Sequence, residues 1–229
     1  MIEIVVPNSQ NEIDLGSYQK FAKIKGDDDF IARKMLQIFC GIDDVFKVSV
    51  ADVNSVSLII SKALSEPQDT LIKKFSLEGV RMGFIPNLSR MTYGEFIDLE
   101  RYISDWDNMH KAMAVLYRPV VDDKAGLYSI QEYEGTDDAD KYKAMPISVV
   151  FSAIVFFYRI VRKISSHYLK ELEMEKEEMS TPQEDSLRSV GVGMLQSMHS
   201  LMETSQSTTK SLLYPTQLVS PLSHTEQIK

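Results

Sequence analysis

The chain has 229 residues and is 44% hydrophobic, enough for one large domain or two small ones with a real core, which excludes global disorder. A formal net charge of −8 argues against a protein that coats nucleic acid, because that affinity rests on neutralising phosphates with Lys and Arg. The single cysteine, Cys40, leaves no intrachain disulfide and fits a reducing compartment.

Taken in chain order, the N-terminal run MIEIVVPNSQ has no basic start before its short apolar stretch, so it does not read as a secretory signal. Ile2 to Val6 is β-branched and ends at Pro7, which predicts a short strand. Leu15 to Lys25 reads as a helix with Tyr18, Phe21, Ala22 and Ile24 near one face. Asp29 is the expected N-cap of a next helix, Phe30 to Phe39, which Gly41 closes. After Ser49 comes a helix from Val50 to Leu64, with Val53, Val56, Ile60 and Leu64 aligned and Glu66-Pro67 beyond its end. The period then changes from about 3.6 to 2. Phe75 to Leu77 and Val80 to Ile85 flank Glu78-Gly79, a hairpin signal.

The stretch from Thr92 to Pro119 is the centre of the chain and holds its only tryptophan, Trp106. Phe96, Leu99, Ile103, Trp106, His110, Met113 and Tyr117 recur three and four apart, which gives one broad face for a core. Thr92 and Glu95 make a capping-box start. Ser104 and Asp107 repeat the signal, so two helices are expected to meet near Ser104, and Arg118-Pro119 to end the second. Leu127 to Tyr133 reads as a strand. Pro146 is expected to open a long helix whose apolar face runs through Val150, Phe151, Ile154, Phe157, Tyr158, Val161, Ile164, Tyr168 and Leu172. Its apolar run from Val149 to Val161 is interrupted by Arg159, and a membrane span needs roughly 20 apolar residues, so no transmembrane helix is expected.

Past Leu169 the sequence KELEMEKEEM is charged on all sides, and from Ser180 it turns to Ser, Thr and Gln. A short helix around Val190 to Met202 is expected, followed by a flexible stretch from Thr204. The fold class is therefore α+β and mainly α-helical, with a small β element of Ile2–Val6, Phe75–Leu77 and Val80–Ile85 beside a helical bundle. The expected domains are residues 1–168, globular, and residues 169–229, a charged helix end and a flexible C-terminal arm. Apolar residues keep recurring in that arm. Met194, Leu195, Met198, Met202, Leu212, Leu213 and Tyr214 are its candidate partner-binding residues, because methionine adapts its shape at binding surfaces.

Catalytic signatures are sparse. His110, His167, His199 and His224 form no pair at helical spacing, and a hydrogen-bonded core histidine is the expectation for His110. Of the acids Glu95, Asp98, Glu100, Asp105 and Asp107, Glu95 and Asp107 have capping roles, while Asp98 and Glu100 are two apart and point to different sides of a helix. Asp27 to Asp29 lacks calcium-loop spacing, and Gly191-Val192-Gly193 is a lone GxG with no dinucleotide context. No catalytic residue, cofactor or metal ligand is assigned.

The run SLEGVRMGFIPNLSRMTYGEFIDLERYISDWDNMHKAMAVLYRPV, residues 76–120, resembles a segment of tailed-bacteriophage proteins, especially those of crAss-like and related large phages. KYKAMPISVVFSAIVFFYRIV resembles the segment that follows there, and IARKMLQIFCGIDDVFKVSVADVNSV resembles their helical start. The resemblance implies a virion or tail-associated structural protein, or a tail-assembly chaperone. It implies other phage structural proteins as partners, a multi-copy assembly, and a place in the virion or in the host cytoplasm during assembly. No catalytic residues come with it. The alternatives are a helical regulatory interaction module and a small carboxylate-dependent enzyme.

Overall fold

The computed structural model describes residues 5–124, 127–157 and 159–160. They form an α+β fold, mainly helical, around one four-stranded antiparallel sheet in the order β1-β2-β3-β4. Helix α1 is Leu15–Ala22, α2 is Asp28–Cys40 and α3 is Val50–Leu64. Strands β1 (Lys74–Leu77) and β2 (Val80–Phe84) form the hairpin. Helices α4 (Tyr93–Tyr102) and α5 (Met109–Leu116) lead into β3 (Tyr117–Lys124) and β4 (Leu127–Ile130). A last helix, α6, occupies residues 147–157.

Local signals place most of these elements. The Asp14, Asp27 and Ser49 side chains accept from backbone N–H groups at the starts of α1, α2 and α3, satisfying donors that a helix start leaves free. The cap of α2 is Asp27 rather than Asp29, so the helix begins two residues before the expected start, and the acids Asp28 and Asp29 fall in its first turn, where the helix dipole favours negative charge. Gly41 closes α2 in the left-handed conformation at φ 66°. In the hairpin both turn residues have positive φ, Glu78 at 49° and Gly79 at 83°. That pair defines the tight turn whose twist matches its strands.

Helix α5 is the middle of the molecule. Every residue of it except Lys111 is buried, the pattern of a helix enclosed on all sides. Around it lie Leu15 and Tyr18 of α1, Leu36 of α2, Ile60 of α3 and Val150, Phe151 and Ile154 of α6, in one core cluster. Residues 13–15 pair with residues 145–147, through Leu15 N–H to Met145 O and Ile147 N–H to Ile13 O, both 2.8 Å. This seam brings the start of the chain onto the start of α6. Pro146 precedes α6 and its carbonyl accepts from Val149 N–H at 3.1 Å.

Several expectations are corrected. Val5 and Val6 are outside the sheet, and Ile2 to Ile4 lie outside the described residues. The partner that the hairpin gains is β3, with Met82, Gly83 and Phe84 opposite Pro119, Arg118 and Tyr117. Tyr117 therefore ends the helical period and starts a strand. Pro119 is tolerated in β3 because it stands at the end of the β4 ladder: its carbonyl accepts from Gln131 N–H at 2.9 Å, and the N–H it lacks lies beyond the last pair, Val120 with Ile130. The break between α4 and α5 exists, but its cap is Asp105, which accepts from Asp107 N–H at 2.9 Å, not Ser104. Strand β4 stops at Ile130, short of Tyr133. Trp106 is partly buried and packs against the core, tilted on Tyr18 at a centroid distance of 4.9 Å and edge-on to Phe151 at 6.1 Å. The expected continuation of α6 beyond Ile160, the helix at 190–202 and the boundary at 168/169 lie outside the described residues.

Tyr117 sits where helix, sheet and core meet. It is 0% exposed, its ring lies 5.4 Å from Phe75 and 5.2 Å from Phe84, and its hydroxyl donates to Ile72 O at 2.8 Å. Tyr117→Phe is expected to cost about 1 kcal/mol, the net worth of a typical hydrogen bond. Tyr117→Ala is expected to cost about 3–5 kcal/mol, as large aromatic truncations in cores do. Urea midpoints at constant slope measure both.

Candidate functional site

The most concentrated polar chemistry in the described residues joins α4 to β3. Thr92 and Glu95 form a full capping box, in which Thr92 N–H donates to Glu95 Oε2 at 2.6 Å and Glu95 N–H donates to Thr92 Oγ1 at 3.3 Å. The second carboxylate oxygen, Oε1, meets Arg118 Nη2 at 2.6 Å. Glu95 is 4% exposed and Arg118 9%. The guanidinium also lies 5.7 Å from the centre of the Tyr133 ring, and the Tyr133 hydroxyl donates to Asp98 Oδ2 at 2.6 Å. Glu95 and Asp98 are three residues apart and so share one face of α4. Burial, followed by the hydrogen bond to Asp98, holds the Tyr133 phenol protonated well above its usual range. Beside Arg118 and Tyr133 opens a cavity of about 300 Å³, whose wall includes Glu134, Asp137 and Tyr142.

Both acids of this cluster are engaged within it. The Glu95 carboxylate is engaged by Arg118 and by the helix start, and Asp98 is engaged by Tyr133. A buried pair of this kind is held together because removing either member strands a charge away from water. The Arg118 Nε–H has no partner among the described residues. Of the other acids in the central stretch, Asp105 caps the turn at Trp106–Asn108 and Asp107 pairs with Lys23 at 2.9 Å rather than capping.

His110 forms the second cluster. It is 6% exposed. Gln19 Nε2 donates to Trp106 O at 2.6 Å and lies 3.2 Å from His110 Nδ1. The other ring nitrogen, Nε2, faces Asp140 Oδ1 at 3.5 Å. Asp140 is also held by Lys143 at 2.7 Å. Burial first, then Lys143, lowers the His110 pKa from 6.5; Lys111 lowers it further, while Asp140 and the Asp107 backbone oppose the shift. This is the hydrogen-bonded core histidine expected from its place on the inner face. Cys40 is half-buried, and burial pushes its thiol pKa up, which works against thiolate chemistry.

Among the described residues, no three His, Cys, Asp or Glu side chains gather to hold a metal ion, and no helix is long and apolar enough to cross a membrane. Met194, Leu195, Met198, Met202, Leu212, Leu213 and Tyr214 lie outside the described residues. The signal for the α4–β3 cluster was half present in the sequence: the capping box located Glu95, but Arg118 was assigned to a helix end. What the described surface does leave open is apolar. Phe46 is 83% exposed, Val50 77% and Leu58 69%, while α3 turns Val56, Ile60 and Ala63 inward. The Arg33 guanidinium lies 5.4 Å from the Phe46 ring. Comparison with protein-family models, curated proteins and solved structures finds no match for the chain.

Two outcomes follow for the clusters. Glu95→Gln keeps a side-chain oxygen for the cap but strands the Arg118 charge, and is expected to destabilise by about 3–5 kcal/mol. Adding Arg118→Met should recover most of that loss, and a double-mutant cycle in urea reads the coupling directly. For His110, a folded pKa below the unfolded 6.5 means that the unfolded chain binds the proton first. Stability from this group is complete above pH 6.5 and is lost as pH falls through the lowered folded value. His110→Gln should flatten the fall in melting temperature in that window. The loss at lower pH, as pH falls through the lowered pKa that Lys143 gives the Asp140 carboxylate, should remain.

Proposed function

We propose that this chain is a non-enzymatic structural or assembly protein of a tailed bacteriophage: a virion or tail-associated component, or a tail-assembly chaperone. It works through protein–protein contacts with other phage structural proteins in a multi-copy assembly, in the virion or in the host cytoplasm during assembly. The observation that carries this reading is the resemblance of residues 76–120 to tailed-phage proteins. Those residues are not a peripheral insertion. They make half of β1, all of β2, α4 and α5, and the start of β3, so the resemblance falls on the hydrophobic centre of the fold.

The chemistry of the described surface supports the same reading. The buried Glu95 and the buried His110 have partners within the fold, and the large exposed side chains Phe46, Val50 and Leu58 are apolar. Apolar groups exposed on the described surface suit contact with another protein.

Mass spectrometry of purified particles from the source phage tests the proposal, with assembly intermediates analysed alongside. Many copies per particle, or stoichiometric copies on tail intermediates, are expected. Absence from both overturns it and favours a regulatory module. Leu58→Glu is expected to change stability by no more than about 0.5 kcal/mol, the usual range for surface positions, while lowering incorporation into particles. Equal incorporation of wild type and variant removes this face from the assembly contact.

A further inference from the structure

A second surface feature lies where the described chain ends. Between β2, β4 and α6 is a groove of about 400 Å³, lined among others by Leu71, Phe84, Leu88, Tyr128, Phe156 and Ile160. Its construction depends on Gly83. A side chain there would place its Cβ 2.7 Å from the Tyr128 ring and 2.9 Å from Val120, distances at which something must move. With glycine at that position, Tyr128 leans from β4 across to β2, and its hydroxyl donates to Phe84 O at 2.6 Å. The Tyr128 ring thereby becomes a wall of the groove, which Phe156 also lines. Leu127 stands at the rim, 82% exposed.

We propose that this groove is the resting dock of the chain's own segment 194–202, held there in the same molecule before any partner binds. Three observations select that occupant. The groove is walled by Ile160, the last residue described, so the rest of the chain leaves from its edge. Residues 161–193 then separate the groove from Met194, and a segment tethered to the groove's edge meets it as an intramolecular partner, with the effective-concentration advantage that a separate molecule lacks. The chemistry also matches. Met194, Leu195, Met198 and Met202 recur at helical spacing, and methionine both fills irregular apolar gaps and packs its sulfur against aromatic rings, which Phe84, Tyr128 and Phe156 supply. Lys73, at the wall of the groove, makes no ion pair among the described residues, and Glu203 follows the apolar segment. The inference does not depend on the phage reading: the arm can be held in this way whatever its final partner.

The test uses the full chain with Cys40→Ser and a pair of introduced cysteines, Leu127→Cys with Met198→Cys. Leu127 is on the surface, so replacing it leaves the core intact. Mild oxidation is expected to give a disulfide within one chain, seen as faster migration on a non-reducing gel. The control pair Val50→Cys with Met198→Cys is expected to react at least tenfold more slowly. Equal rates for the two pairs overturn the proposal, and so does a disulfide formed only between two chains. Limited proteolysis gives a second reading. Leu127→Asp, alone in the otherwise native chain, is expected to speed cleavage within residues 194–202 about tenfold, because cutting follows the open population. Unchanged cleavage overturns the proposal as well.

Discussion

The ion pair between Glu95 and Arg118 is the constraint on which the arrangement of the other elements depends. Glu95 belongs to the first turn of α4 and Arg118 to the second residue of β3, and both are withdrawn from water. Two charges in such a place are stable only while they face each other. Helix α4 is therefore fixed in both height and rotation against the sheet. Because α5 lies between those two points in sequence, its path is fixed too, and the helices that pack around α5 inherit that position. The capping box ties the same carboxylate to the start of α4, so one side chain sets both where the helix begins and where it docks.

Much of the fold was legible because local signals and tertiary demands agreed. Ser49 and the alignment of Val53, Val56 and Ile60 placed α3 at both ends, and Glu78-Gly79 located the hairpin. The failure at Tyr117 has a physical cause. Met113 and Tyr117 are four apart and look like one helical face, while Tyr117, Pro119 and Val121 are equally consistent with a strand. Periodicity alone cannot choose between them when a helix runs into a strand without a turn. Arg118 was then misplaced for the same reason, and the pair it makes with Glu95 became invisible, since nothing local links residues so far apart. The strand at Ile2 to Val6 rested on β-branched composition alone, and propensity of that kind yields to tertiary context. The His110 environment was legible in outline, from its place among apolar positions, but the amide of Gln19 that orients the ring comes from a helix far away in sequence.

Polar chemistry and apolar surface are separated in this molecule. Glu95, Asp98, Arg118, Tyr133 and His110 are engaged within the fold, where their effect is to fix geometry. The outer face of α3 and the groove beside α6 carry exposed apolar groups instead. Specific polar contacts inside the fold thus fix its geometry, while apolar groups are left on its described surface.

The junction between α5 and β3 bears on how such a chain can change over evolutionary time. Leu116 is helical, Tyr117 is already in the sheet, and the Leu116 carbonyl accepts from Ile85 N–H at 2.9 Å, so no residue lies between the two elements. One residue added or removed there would turn the helix by about 100° and exchange the two faces of the strand. Relatives of this chain should thus vary in length at the segment between α3 and β1, where no helix or strand is interrupted, and keep the 109–124 stretch free of insertions and deletions. Counting residues across that junction gives a criterion for recognising distant relatives that does not require any side chain to be retained.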